Sequence, residues 1–131
     1  MINDEVMTIR EMCDAFEVTP RTLRFYEAKE LLAPIRLGQR RLYTRRDRAR
    51  LKLILRGRHF GFSLEDIRQL LDLHDSETLR PTQLPRTIEK ARERLAEMQA
   101  QRDMLAQLIH ELIAEIEWGE AQVARTRSKT G

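Results

Sequence analysis

The sequence predicts an all-α fold with a small β wing: a compact N-terminal unit of short helices, followed by one long helix that needs a partner. Three observations lead there. Helix start signals recur at short intervals through the first half of the 131-residue chain. A brief stretch of alternating apolar and polar residues interrupts them once. The second half carries apolar residues at alternating spacings of 3 and 4, the mark of a long amphipathic helix.

The first helix opens at Thr8-Ile9-Arg10-Glu11, a capping box in which Thr8 and Glu11 satisfy orphan amides at the helix start. Ile9, Met12, Cys13 and Phe16 follow at i, i+3, i+4, i+7 and give it one buried face. Thr19-Pro20 supplies the next N-cap, with proline where its missing N–H costs nothing, so a second helix runs from Pro20 to about Lys29. Only Glu17-Val18 separates the two, which is the shape of a helix-turn-helix. Pro34 ends that region. Ile35-Arg36-Leu37 and Arg41-Leu42-Tyr43 then alternate on either side of Gly38-Gln39, the pattern of a two-stranded wing.

Thr44-Arg45-Arg46-Asp47 caps a third helix bearing Leu51, Ile54 and Leu55, and Gly61 is placed to end it. Ser63-Leu64-Glu65-Asp66 opens a fourth, with Ile67, Leu70 and Leu71 as its apolar face. Residues 1–76 are thus expected to form a winged helix-turn-helix domain, and 77–84 a linker. The last helix begins near Pro81 or near Pro85; both positions are compatible with the sequence.

Leu84, Ile88, Ala91, Leu95, Met98, Arg102, Leu105, Ile109, Leu112 and Ile116 form the seam of this helix, expected over 85–121, and all but Arg102 are apolar. From Pro85 to Trp118 it would span about 50 Å at ~1.5 Å per residue. A seam of that length cannot stay in water, and a second copy of the chain is the economical partner. Arg102 either sits near the centre of an antiparallel dimer and restricts its register, or snorkels out of the seam. Met104, Leu108 and Ile113 form a second apolar stripe, and 122–131 reads as a disordered polar tail.

Charge points to the ligand. Residues 36 to 58 contain ten Lys or Arg and one acid, Asp47, within a chain of net charge +3. Such a block attracts phosphate backbones. The single cysteine excludes an internal disulfide and fits a reducing, cytoplasmic setting; Cys13 itself falls on the apolar face of the first helix, as a structural thiol would. No segment approaches the ~18 apolar residues that a membrane span requires. No glycine-rich phosphate loop, metal constellation or positioned nucleophile is evident, so neither an enzyme nor a cofactor is expected. The competing reading is a coiled-coil adaptor or anti-regulator that does not itself bind DNA, and the basic block argues against it.

Three runs, Val18 to Leu32 (VTPRTLRFYEAKELL), Gly38 to Ile54 (GQRRLYTRRDRARLKLI) and Gly61 to Leu71 (GFSLEDIRQLL), resemble the MerR family of bacterial transcriptional regulators in order and spacing. The second half of the motif region also resembles members associated with branched-chain amino acid and acyl-CoA breakdown. The resemblance implies double-stranded DNA as partner, a homodimer through an antiparallel coiled coil, and action on RNA polymerase by bending and untwisting a long promoter spacer around an inverted repeat.

It also implies that Arg21, Arg24 and Tyr26 contact the duplex. A helix-turn-helix presents the N-terminal side chains of its second helix to base edges, which adds Thr19 and Thr22. Arg36, Arg40, Arg41 and Tyr43 of the wing are expected at phosphates; Arg40 stands where many members carry tyrosine. Tyr26 could instead pack beneath the wing, and Phe25 is expected in the core. Metal-sensing members carry paired cysteines at the start of the dimer helix and after its end, and redox members a four-cysteine cluster near the C-terminus; this sequence has neither. A small-molecule effector, if there is one, would sit near Trp118, which otherwise packs over the end of the seam.

Overall fold

The computed structural model describes residues 6–73 and 84–130. Two compact units are distinguished, residues 1–90 and 91–131. The expected linker at 77–84 and the acidic His74-Asp75-Ser76-Glu77 stretch lie, but for Leu84, outside the described residues.

In the first unit the elements run β1 (Val6–Thr8), α1 (Ile9–Phe16), α2 (Pro20–Ala28), β2 (Ile35–Leu37), β3 (Arg40–Thr44), α3 (Arg45–His59) and α4 (Leu64–Leu73). The caps form as the sequence predicts. Thr8 Oγ1 accepts from the Glu11 amide at 3.2 Å while Glu11 Oε1 accepts from the Thr8 amide at 2.9 Å. These bonds hold the Glu11 carboxyl below its ordinary pKa of 4.5. Glu17 then closes α1 in the left-handed conformation, φ 54°. Ser63 Oγ accepts from the Asp66 amide at 3.1 Å at the head of α4. Gly61, φ 81°, ends α3, and the Phe62 amide reaches back to the Gly57 carbonyl at 2.9 Å.

The wing has three strands where the sequence reading has two. β1 pairs antiparallel with β3, Met7 opposite Tyr43, and β2 pairs with β3 on its other edge, Arg36 opposite Arg41. The order β1-β3-β2 makes β3 the central strand. Three residues that end in a capping threonine carry no period of their own; only the partner strand identifies β1. At the tip, Gly38 has φ 63° and Gln39 does not share it, so glycine stands at the first central residue, as a type II′ hairpin requires.

Met12 of α1, Leu23 and Tyr26 of α2, Leu31 and Leu32, Tyr43 of β3, Leu51 and Ile54 of α3, and Ile67 and Leu71 of α4 form one core. Asp47 is the buried acid, 3% exposed. Its Oδ2 accepts from the Thr44 amide and hydroxyl, both at 3.1 Å, and its Oδ1 accepts from the Ala33 amide at 3.0 Å. One carboxylate thus caps α3 and fastens the chain entering the wing.

α5 runs from Leu84 to Thr130, 47 residues. This corrects the expected bounds of 85–121 and the expected disordered tail at 122–131. Residues 120–130 are polar but contain no proline or glycine, and Ala121, Ala124, Arg125 and Lys129 are good helix formers. The seam residues are solvent-exposed on the single chain, from Met98 at 40% to Leu112 at 61%. Gly119 and Val123 prolong the 3–4 spacing beyond Ile116. Trp118 is 65% exposed. Two residues past Ile116, it lies about 200° round the helix at ~100° per residue, on the side away from the seam. It therefore does not cover the seam's end as expected.

Candidate nucleic-acid interface

α2 is short, and its cap is built from the residues expected to read a ligand. Thr19 Oγ1 accepts from the Thr22 amide at 3.1 Å, and the two hydroxyl oxygens lie 2.9 Å apart. Pro20 occupies the first turn. Leu23 and Tyr26, three residues apart, turn inward. The opposite side of the helix is then Arg21, Arg24, Phe25 and Ala28, with Lys29 at its C-cap, and all five are exposed. Past the helix the chain turns sharply at Glu30, φ 61°, and the Leu31 amide donates to the Tyr26 carbonyl at 2.9 Å.

Side chains from α3 and α4 grip this turn. Arg68 Nη2 donates to the Lys29 carbonyl at 2.6 Å, and Arg50 Nε to the Leu31 carbonyl at 2.8 Å. Part of the basic block is thus structural: Arg50 holds a backbone carbonyl just past α2, as Arg68 of α4 does beside it. The placement of α2 is set from behind.

Glu27 joins α2 to the wing. Its Oε2 accepts from Arg41 Nε at 2.6 Å and its Oε1 from Arg36 Nη1 at 3.2 Å. Arg36 and Arg41 are cross-strand partners, so both point to the same side of the sheet, toward α2. Arg41 is the more buried of the two, at 23% side-chain exposure against 51% for Arg36. Arg40 is exposed on the other side, beside Leu37.

Of the nine residues expected at the interface, Thr19, Arg21, Arg24, Arg36 and Arg40 are exposed, and Thr22 and Arg41 are half-buried. Tyr26 and Tyr43 pack into the core instead. Tyr26 is 6% exposed and Tyr43 fully buried. The alternation of β3 that turns Arg40 and Leu42 one way turns Tyr43 into the core, opposite Met7. Its hydroxyl has no hydrogen-bond partner among the described residues. Burial, reinforced by the Glu27 charge, pushes its pKa above the ordinary 10.0, against the opposing pull of Arg41. Phe25 is the converse correction: expected in the core, it is 46% exposed among the arginines.

Phe25, Lys29 and Glu27 were not among the expected interface residues. Lys29 Nζ lies 5.6 Å from the Phe25 ring centroid, over its face. The three-residue spacing of Leu23 and Tyr26 is the signal that fixes which aromatic faces outward. Cys13 is half-buried; desolvation and the Asp14 charge raise its thiol pKa, with Arg24 opposing. Among the described residues, no three His, Cys, Asp or Glu side chains gather as a metal site would require, and no helix is long and apolar enough to cross a membrane.

Comparison with known proteins gives consistent relatives. Residues 7–73 match the family described as MerR HTH family regulatory protein, and residues 48–114 match the one described as MerR, DNA binding. The Escherichia coli HTH-type transcriptional regulator ZntR is 46% identical over 67 residues, covering 50% of this chain and 48% of that protein. The chain thus matches about half the length of that relative. The Salmonella typhimurium HTH-type transcriptional regulator CueR is 31% identical over 108 residues, covering 78% of each. The crystal structure of MtaN, the N-terminus of the Bacillus subtilis multidrug transporter activator, superposes with a TM-score of 0.60 at 26% identity, over 82% of this chain and 97% of that one.

Proposed function

The chain belongs to the MerR family, and from that premise we propose that it is a sequence-specific, DNA-binding transcriptional regulator acting as a homodimer on an inverted repeat within a promoter spacer. The observation that carries this reading is the outward face of α2. Arg21, Arg24 and Phe25 are exposed there, while Glu27 on the flank of the same helix holds Arg36 and Arg41 of the wing. Helix and wing are one charged unit suited to a major groove and its flanking phosphates.

The second copy is supported by α5. Its seam, prolonged to Val123, leaves Leu95, Leu105, Ile109, Leu112 and Ile116 more than half exposed on the single chain. Pairing two seams recovers about 25 cal/mol for each Å² of apolar surface covered. An antiparallel pair fixes the separation of the two recognition helices, so bending and untwisting the spacer aligns the elements that RNA polymerase reads. Arginine at base edges supplies selectivity, and arginine at phosphates supplies affinity.

The test is to capture genomic fragments with the purified protein at moderate salt and sequence what is retained. An enriched inverted repeat inside a promoter spacer is the expected result, with affinity falling ~10³–10⁵-fold between about 50 and 200 mM salt for six to ten neutralised phosphates. A folded dimer that enriches no sequence refutes the reading.

A further inference from the structure

We infer that Phe25 reads the 5-methyl group of a thymine in the major groove of each half-site, an inference that rests on the DNA-binding reading above and names one base it selects. Phe25 lies at the middle of the outward face of α2, one turn beyond Arg21 and one turn before Lys29, with Arg24 and Ala28 beside it. An aromatic ring 46% exposed among cations adds little to the core, which is filled by Leu23 and Tyr26 behind it.

The ring is held rather than free. Tyr26 meets it edge-on, centroids 5.6 Å apart at 61°, and Lys29 Nζ covers one face at 5.6 Å. It has no polar atom to offer a phosphate or a base edge. The cations around it are drawn to phosphates and guanine, which places the helix face down in the groove with Phe25 foremost. The apolar group on the floor of a major groove is the thymine methyl, and phenylalanine is a side chain that matches it. Ala28 extends the same apolar spot by one small residue, which lets the ring approach closely.

The experiment uses the full-length protein and its enriched operator. Thymine is replaced by uracil one position at a time, symmetrically in both half-sites, which deletes a methyl and leaves every hydrogen-bonding group. At one position wild type is expected to lose about fourfold in affinity per half-site, the value of one buried methyl-sized group. Phe25→Ala is expected to bind the thymine operator more weakly and to be indifferent to uracil at that position; Phe25→Leu is expected to keep part of the sensitivity. Comparing mutant and wild type on both operators isolates the contact from any change in DNA stiffness. Because Phe25 is half exposed, its variants are expected to melt with wild type, a control read in parallel. An operator bound tightly with a flat uracil profile, or one whose sensitivity survives in Phe25→Ala, overturns this inference while leaving the DNA-binding reading intact. Failure of the wild type to retain any operator overturns both.

Discussion

The two carboxylate oxygens of Glu27 are divided between two strands of the wing, with Arg41 Nε 2.6 Å from Oε2 and Arg36 on the other oxygen. One side chain at their junction therefore ties the recognition helix to both strands of the wing hairpin. Its partners are the very arginines expected at phosphates, so the charges are aligned before any ligand arrives.

Glu27→Gln tests that arrangement. The amide oxygen can accept from one guanidinium, and its NH₂ faces the other. A loss of about 1 kcal/mol is expected for a cluster still partly open to solvent. Binding to random duplex should tighten as the arginines are released, with a salt dependence steeper by about 0.9 for each additional phosphate neutralised. Preference for the operator should fall. Titrations on operator and random DNA across salt concentrations read all three.

Tyr43→Phe removes a hydroxyl that is buried and unpaired, so it should stabilise the fold by about 1 kcal/mol, roughly 4–8 °C in a domain of this size. The folded pKa of Tyr43 is raised, so the stability tied to its neutral form is complete below the unfolded value of 10.0 and declines as pH rises above it. Thermal melts from neutral pH to beyond 10 should show that decline in wild type, and the part due to this phenol should vanish in the variant. DNA affinity should not change; a large loss would mean that Tyr43 reaches the duplex after all.

Gly57→Ala places a methyl 2.8 Å from Ile67 Cγ1 and 3.1 Å from its Cδ1, where α3 crosses α4. Alanine is the better helix former by about 1 kcal/mol, but Ile67 is buried and its inner carbon cannot swing aside. Overpacking wins, with a net loss of about 1–3 kcal/mol in chemical denaturation.

Arg102→Leu fills the polar gap in the α5 seam. On the single chain Arg102 pairs with its neighbour Asp103 at 3.0 Å, both well exposed. Leucine should raise the stability of the dimer by about 1–3 kcal/mol per helix while admitting other registers or higher oligomers. Sedimentation over a dilution series, alongside melts, separates the effects: a dimer unchanged in state and lower in stability would mean that Arg102 stabilises the pair directly.

How far the sequence could be read depended on the range of each interaction. Thr8 with Glu11, Thr19 with Pro20 and Thr44 with Asp47 act within one turn, and each cap formed where the residues stood. β1 was missed because its pairing with β3 joins residues far apart in the chain. Glu27 was missed for the same reason: in sequence it is one more acid after a tyrosine, and its meaning comes from strands that begin eight residues later. Phe25 faces outward, against its expected place in the core, because Leu23 and Tyr26, three residues apart, form the inner face of α2. α5 extends to Thr130 because its polar last turns contain no proline or glycine, and polarity alone does not end a helix.

The carboxylate of Asp47 has a consequence for anyone who wishes to rebuild this protein. The base of the wing hairpin is held at both ends, at Ala33 where the chain goes out and at Thr44 where it returns, while a side chain added at Gly38 at the tip would meet nothing within 4 Å. The hairpin is therefore an exchangeable cartridge with a fixed socket. Grafts of other lengths and charges joined inside residues 37–40, which leave Arg36 and Arg41 on Glu27, should seat in the same orientation, whereas any transplant cut at 33 or 44 carries away half of the socket.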